Sequence, residues 1–371
     1  MSTIIILGAG MMGTAITVPL SDRGHDVRLV GTHLDTDIIE EIHDSRRHPR
    51  LRVTVPERVV PYHHLGLREA LLGADLVILG VNSLGVTWAA EALAPYLKPD
   101  IPVLFLTKGL SGEGQRIQLL PDRFRESLAP SVGSGVPTMA IGGPSIAGEL
   151  AARRETWIVL TGTDGDLLGR TADLLRTPYY HIWTSTDVIG VEVSVALKNL
   201  YALAVGLVGG LLEVAPQTEN EAPMHNPAAA IFAQALSEMS YLVRRWGGRP
   251  STVVALPGAG DLYVTCQGGR NARLGRHMGM GVPYREAMTR FMTDETVEGA
   301  QLALEIGPTI EWMIGRGDLA AEALPLLRTV IDMVCHDAPL NIPWGSFFAG
   351  GTEEASLKDS SDVHGDGGYG P

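Results

Sequence analysis

Cysteine is scarce in this chain: Cys266 and Cys335 are the only two in 371 residues. Neither sits in a Cys-x-x-Cys or Cys/His spacing. That excludes a disulfide scaffold or a zinc ribbon, leaves no metal site to expect, and fits a reducing compartment. Basic residues are outnumbered. Lys and Arg total 29 against 42 Asp and Glu, a net charge of −13. That balance argues against nucleic acid or an anionic membrane as partner, yet leaves room for an anionic small molecule held by local Lys and Arg. The N-terminus, Met1-Ser2-Thr3-Ile4-Ile5-Ile6-Leu7, has no basic region ahead of a long apolar stretch, so no signal peptide is expected. The most apolar segment, residues 200–212, is shorter than the roughly 20 residues that span a bilayer and reads as a buried core helix. No integral membrane segment and a cytoplasmic location are therefore expected.

What is present is a globular composition. Hydrophobic residues at 45% and charged residues at 19% exclude a disordered chain, and roughly 150 residues per domain suggests two domains. The first half alternates short apolar runs with mixed segments. Runs fall at residues 3–7, 27–30, 76–81, 103–106, 138–141 and 157–160, and residues 14–23 read as a helix. Continuous rather than alternating apolar runs suit strands buried on both faces; interleaved with helices they predict βαβ units and a mostly parallel Rossmann-type sheet. The texture changes at Thr184-Ser185-Thr186-Asp187, a cluster of helix N-cap residues. Beyond it the patterns are helical, at 188–212, 227–246, 283–292, 297–315 and 324–335, with a polar loop at 213–226. The expected organisation is an α/β dinucleotide-binding domain over 1–186, an all-α substrate and catalytic domain over 187–350, and an acidic tail over 351–371 expected to be disordered.

Gly8-Ala9-Gly10-Met11-Met12-Gly13 follows the first strand and opens a helix, the context that makes a GxGxxG turn a dinucleotide site. Gly8 permits the tight turn, Gly10 lets the backbone approach a pyrophosphate, and Gly13 lets helix and strand pack closely. Met11 and Met12 start the helix whose N–H groups would face the phosphates. The second strand ends at Val30, and Gly31-Thr32-His33 follows, with Asp35 two residues further on. The missing carboxylate at the strand end favours NADP over NAD, with Thr32 and His33 placed to tolerate a 2′-phosphate.

Four polar islands in apolar surroundings carry the chemistry. Thr107-Lys108-Gly109-Leu110 places Lys108 at the carboxyl end of a strand, where ligands of open α/β sheets bind. Gly142-Gly143-Pro144-Ser145-Ile146-Ala147 is a second glycine turn, whose N–H groups and Ser145 suit an anion or the nicotinamide end. Lys198 and Asn199 lie inside the most apolar helix, where desolvation lowers a lysine towards the range of a general acid or base. Asp261 and Thr265 stand one helical turn apart, and Gly268-Gly269-Arg270-Asn271 places an arginine fork at a helix start, a good phosphate cradle.

These five ordered motifs, from the GxGxxG turn through Val-Glu-Val-Ser-Val-Ala-Leu-Lys-Asn at 191–199 to Gly-Asp-Leu-Tyr-Val-Thr-Cys and Gly-Arg-Asn at 260–271, resemble the NAD(P)-dependent glycerol-3-phosphate dehydrogenase family over residues 3–345. The resemblance implies hydride transfer between NAD(P)H and dihydroxyacetone phosphate, giving sn-glycerol 3-phosphate. It makes Lys198 the proton donor and acceptor, flanked by Lys108 and Asn199. Asp261 and Thr265 complete the polar site, and Arg270 and Asn271 hold the substrate phosphate. Gly143 and Ser145 lie near substrate, and Ala147, Arg270 and Glu298 near the cofactor. A homodimer is the expected assembly. Asn82, where the family often has proline, and the 213–226 loop depart from the pattern. They keep open the same chemistry on a larger polyol phosphate. A β-hydroxyacid dehydrogenase and a non-catalytic NAD(P) sensor also remain open.

Overall fold

The computed structural model describes residues 1–128, 135–293 and 295–349. The tail expected over 351–371 lies outside the described residues. Among the described residues ten strands form: β1 (Thr3–Leu7), β2 (Asp26–Val30), β3 (Val59–Tyr62), β4 (Leu76–Leu79), β5 (Val103–Phe105), β6 (Leu110–Glu113), β7 (Arg116–Leu119), β8 (Thr138–Gly142), β9 (Thr156–Gly162) and β10 (Tyr180–Ser185). Eight of them build one sheet in the order β10-β9-β8-β5-β4-β1-β2-β3, and β6 and β7 form a separate antiparallel hairpin. Every pair in the large sheet is parallel except β8 with β9. The continuous apolar runs are explained by β1: Ile4 and Ile6 enter one core, Ile5 and Leu7 the other, on opposite faces of the sheet.

The helices that matter here are α1 (Met11–Ala15), α2 (Thr17–Asp22), α3 (Thr36–Ser45), α4 (Val86–Leu93), α5 (Leu120–Ser127) and α6 (Gly165–Leu175) around the sheet. Beyond it come α7 (Val188–Val214), α8 (His225–Arg245), α9 (Asp261–Cys266), α10 (Arg270–Gly279), α11 (Glu298–Gly315) and α12 (Pro325–Cys335). The strand order turns back on itself between β1 and β4, and the carboxyl ends of β1, β5 and β8 deliver the glycine turn, Lys108 and Gly143 to the same side, where α/β sheets bind ligands.

Several sequence expectations are revised. The helix expected at 14–23 starts at Met11 and is interrupted at Ile16, giving α1 and α2. Strands β3, β6, β7 and β10 were not expected from the sequence: β3 is an edge strand interrupted by Pro61, β10 is the other edge with Trp183 exposed, and β6 and β7 are only four residues each. The apolar segment at 200–212 belongs to a 27-residue helix. Among the described residues this one helix is long and apolar enough to cross a membrane, but 67% of its most apolar window is buried inside the protein. The 213–226 loop is shorter than expected, because Glu213 remains in α7 and α8 begins at His225.

Asp187 caps α7 as the N-cap cluster suggested. Its carboxylate accepts from Gly190 N at 3.0 Å, from Arg249 N at 3.1 Å and from the Thr252 hydroxyl at 2.5 Å. Helix α7 then runs through the centre of the helical part with α10 pressed against it, backbone to backbone. A Cβ at Gly206 would stand 2.5 Å from Ala272 O, and one at Gly275 would stand 2.1 Å from Leu203 O. Gly275→Ala therefore forces the two helices apart and is expected to cost about 1–3 kcal/mol, read as a fall of several degrees in thermal midpoint. Gly169→Ala, on α6 with open space at the Cβ position, is the control and should not lower it.

Candidate active site

The first glycine turn has the shape that a dinucleotide needs. Gly8 takes a φ of +112°, and a Cβ there would lie 2.7 Å from the Gly80 carbonyl carbon; a Cβ at Gly13 would lie 2.1 Å from Gly8 O. Only glycine fits either place, so the turn lies flush between β1 and the end of β4. Gly10 differs: the nearest atom to its Cβ position is 4.0 Å away. It stands at the head of α1, with Met11 and Met12 next and the Met11 side chain exposed. The open side of the turn at Gly10 is the cradle a pyrophosphate requires, and these residues fit NAD(P).

The end of β2 corrects one expectation. A carboxylate does reach it: Asp35, at the head of α3, turns back to accept from Thr32 N at 2.8 Å, the Thr32 hydroxyl at 2.8 Å and Ala9 N at 3.2 Å. Asp35 is thereby engaged with the protein's own donors. Thr32 is buried, while His33 is exposed and packs edge-on against Trp88, with ring centroids 5.3 Å apart.

The chemistry-bearing residues converge where the two halves meet. Helix α7 carries Lys198, the β5 end carries Lys108, and the first residue of α9 is Asp261. Asp261, 1% exposed, divides its two oxygens between the lysines: Lys198 Nζ donates to Oδ1 at 2.5 Å and Lys108 Nζ to Oδ2 at 2.5 Å. Lys198 also donates to the Thr265 hydroxyl at 2.8 Å, and Lys108 to Gly143 O at 3.1 Å. The i, i+4 spacing of Asp261 and Thr265 does what the sequence suggested, since both reach Lys198 from one face of α9. Burial holds Lys198 below the ordinary lysine range, at about 8, with Asp261 pulling it up and Lys108 pushing it further down. Cys266, beside this cluster, is pushed by burial up to about 12 and stays a thiol.

Asn199 and Asn271 are brought together as well. Asn271 Nδ2 donates to Asn199 Oδ1 at 3.1 Å, and Gly299 N donates to Asn271 Oδ1 at 2.8 Å. The Asn271 side chain is thus buried and engaged at both ends, orienting Asn199. Arg270, the first residue of α10, is ion-paired with Glu298, the first residue of α11. Ser145 keeps a buried hydroxyl with no partner among the described residues, and Ala147 opens the short helix Ala147–Ala151. Asn82, which stands where proline was expected, caps its own turn by accepting from Gly85 N at 2.9 Å.

Sequence reasoning missed a second layer. A cleft of about 90 Å3 is lined by Ser83, Lys108, Arg123, Asn199, Glu298 and Glu305. Glu305 of α11 accepts from the Ser111 hydroxyl at 3.0 Å and Gly112 N at 3.2 Å, and pairs with Arg123 of α5 at 3.5 Å. This latches the hairpin that follows Lys108 onto the helical half. Glu192, on α7 below Lys198, is fully buried with neither oxygen bonded, and burial raises its carboxyl to about 8. No motif marks Arg123 or Glu305, and Glu192, although inside the 191–199 motif, has no role assigned to it there. The signal for Glu192 and Glu305 is a carboxylate inside an apolar helix.

Comparison with known proteins agrees with this geometry. Residues 3–167 match the family described as NAD-dependent glycerol-3-phosphate dehydrogenase N-terminus, and residues 187–342 its C-terminus. An NADP(+)-dependent glycerol-3-phosphate dehydrogenase of Archaeoglobus fulgidus is 35% identical over 288 residues, covering 77% of this chain and 82% of that protein. A glycerol-3-phosphate dehydrogenase [NAD(P)+] of Shouchella clausii is 32% identical over 318 residues, covering 84% and 88%. The crystal structure of glycerol-3-phosphate dehydrogenase from Coxiella burnetii superposes with a TM-score of 0.75 at 26% identity, covering 94% of this chain and 98% of that one.

The shared carboxylate yields a stability prediction. Asp261→Asn leaves two neighbouring ammonium groups with no counter-ion, which is expected to cost about 3–5 kcal/mol at pH 7 by urea denaturation. The cost should shrink as pH rises through the lowered Lys198 pKa, because a neutral amine needs no carboxylate. Adding Lys198→Met should recover part of it.

Proposed function

Because the chain belongs to the NAD-dependent glycerol-3-phosphate dehydrogenase family, we propose that it interconverts dihydroxyacetone phosphate and sn-glycerol 3-phosphate, with Lys198 as the proton donor and acceptor. The observation that carries this reading is the Lys198–Asp261–Lys108 bridge, which closes over the carboxyl end of the parallel sheet beside the dinucleotide turn.

Bound NAD(P)H supplies the hydride that reduces C2 of the ketone. The chain supplies everything else. Lys198 Nζ, held as an ammonium by Asp261, gives its proton to the C2 oxygen as that oxygen becomes an alkoxide, and is left as a neutral amine. Its lowered pKa makes this transfer accessible near neutral pH, and in the oxidative direction the neutral amine takes the alcohol proton back. Lys108 and the Asn199 amide face the same cleft and stabilise the developing negative charge. Arg270 exchanges Glu298 for the substrate phosphate at the head of α10, so that the phosphate sets how deep the carbonyl reaches. The unpartnered Ser145 hydroxyl, beside the Gly143 turn, gains a partner when ligand enters.

The preferred cofactor in this reading is NADPH. Asp35 has its Oδ2 taken by Thr32 and Ala9, which ties the carboxylate to the turn, and His33 stands exposed at the strand end. The Archaeoglobus fulgidus relative, named as NADP(+)-dependent, supports the same choice.

The test follows NADPH and NADH absorbance on addition of dihydroxyacetone phosphate. Turnover is expected with both and higher kcat/KM with NADPH. Lys198→Ala should lower kcat by roughly 10²–10⁴-fold. The reductive rate should fall as pH rises through about 8, where Lys198 loses its proton, and the oxidative rate should rise over the same range. No turnover of dihydroxyacetone phosphate, alongside turnover of a longer ketose phosphate, would move the substrate assignment to a larger polyol phosphate.

A further inference from the structure

We infer that His48 is a positioning residue for the dinucleotide turn, holding the Ala9 peptide through a hydrogen bond that only its neutral Nε2–H tautomer can make. Ala9 is the second residue of the glycine turn and is completely buried. Its peptide is gripped from two sides. The N–H donates to Asp35 Oδ2 at 3.2 Å, and the carbonyl lies 3.0 Å from His48 Nε2, sharing that oxygen with the Thr14 hydroxyl at 3.1 Å. His48 comes from a different part of the chain, 39 residues further on, so this is a tertiary clamp and not part of the turn's own hydrogen bonding.

The tautomer follows from the partners. His48 Nδ1 accepts from Leu51 N at 2.9 Å and from Arg50 N at 3.2 Å. Two N–H groups aimed at Nδ1 require a lone pair there, which places the ring proton on Nε2, where the Ala9 carbonyl accepts it. The loop that carries the ring is itself pinned. His48 N donates to Val53 O, Arg52 N to His48 O, and Arg46 and Arg52 both take left-handed backbone, with φ of 60° and 58°. His48 is 1% exposed. It does not face the open side of the turn at Gly10, so it acts through the peptide it holds and does not touch the cofactor.

A protonated ring would turn a proton towards two N–H donors and break this arrangement. Burial holds His48 below the usual histidine range; Arg50 pushes in the same direction, while Asp35 opposes it. The clamp is therefore complete at neutral pH and fails in acid. Removing it frees the Ala9 peptide to rotate and misdirects the N–H groups at Gly10 and Met11 that follow it.

The experiment is cofactor binding to the whole chain by quenching of intrinsic fluorescence, with thermal midpoints measured beside it. His48→Ala is expected to weaken NADH and NADPH by the same factor, roughly tenfold for one lost hydrogen bond to a buried carbonyl. His48→Gln, whose amide nitrogen can reach the place of Nε2, is expected to restore part of the affinity. Wild-type affinity for NADH, which carries no titrating 2′-phosphate, is expected to be flat from about pH 7 to 9 and to fall only in acid, at a pH below the ordinary histidine value. Three results would overturn the inference: affinity unchanged within twofold in His48→Ala, a loss confined to NADPH, or a loss in both variants that merely follows a lowered thermal midpoint. If His48→Ala does not fold, His48→Phe, which keeps a ring but no donor, is compared with His48→Gln, and equal affinity for NADH in the two rejects the clamp.

Discussion

One buried carboxylate holds this protein's site together. Asp261 satisfies two ammonium groups that arrive from opposite halves of the chain, Lys108 from the sheet and Lys198 from the central helix. Neither lysine tolerates that position alone, because an unpaired ammonium in a dry interior is costly. The arrangement thus makes the junction of sheet and helices and the candidate reactive centre the same object. It also sets the poise of the proton: desolvation and the second lysine loosen it from Lys198, while the carboxylate retains it, and the balance falls near 8. Four lysines occur in the whole chain, at 98, 108, 198 and 358, and half of them meet on this one aspartate. The arginine-rich remainder of the cationic surface could not serve the same purpose, because a guanidinium does not give up its proton in a protein.

Backbone proximity brings the rest of the site to that carboxylate. Where α10 lies against α7 with no side chain between, Asn271 comes within reach of Asn199. A Cβ at Gly299 would meet Asn199 O at 2.4 Å, and the same close approach lets Gly299 N bond to Asn271. The first glycine turn repeats this logic on the sheet side, with Gly8 and Gly13 removing the atoms that would hold β1, α1 and β4 apart. In both places glycine shortens the distance between elements so that polar groups from separate segments share one cavity.

Much of this was legible in the sequence, for reasons tied to particular residues. The buried strands announce themselves as continuous aliphatic runs, and Lys198 is conspicuous because a lysine in the midst of Val195-Ala196-Leu197 and Leu200 must either snorkel to the surface or be paired. Asp261 and Thr265 were visible through helical spacing. The edges were not: β3 contains a proline, and the strands of the β6–β7 hairpin are only four residues each, too short for alternation to stand out. Asp35 misled for a different reason. Counting along the chain places it past the strand end, but a residue at a helix head can fold its carboxylate back over three positions, and linear spacing does not encode that return. His48 and Glu305 were invisible in the same sense, since each acquires meaning only from a partner many residues distant.

The charge distribution reconciles an acidic protein with an anionic substrate. Two lysines on one aspartate leave an excess of positive charge inside the junction, and the two neighbouring arginines, Arg270 and Arg123, are each held by a glutamate, Glu298 and Glu305. Those glutamates keep the arginines extended and in place before any anion arrives. In the proposed function, an incoming phosphate that displaces Glu298 meets a guanidinium already held at the head of α10, and the net charge of −13 on the body as a whole matters little at that range, because exposed charges beyond about 10 Å are screened by salt. Under that proposal, selectivity for a small phosphorylated ketone rests on the separation between the arginine at one end and the Lys198 ammonium at the other. Arg270 stands on α10, packed against α7, and Lys198 on α7 itself, so that separation is a property of the rigid helical half and not of a loop.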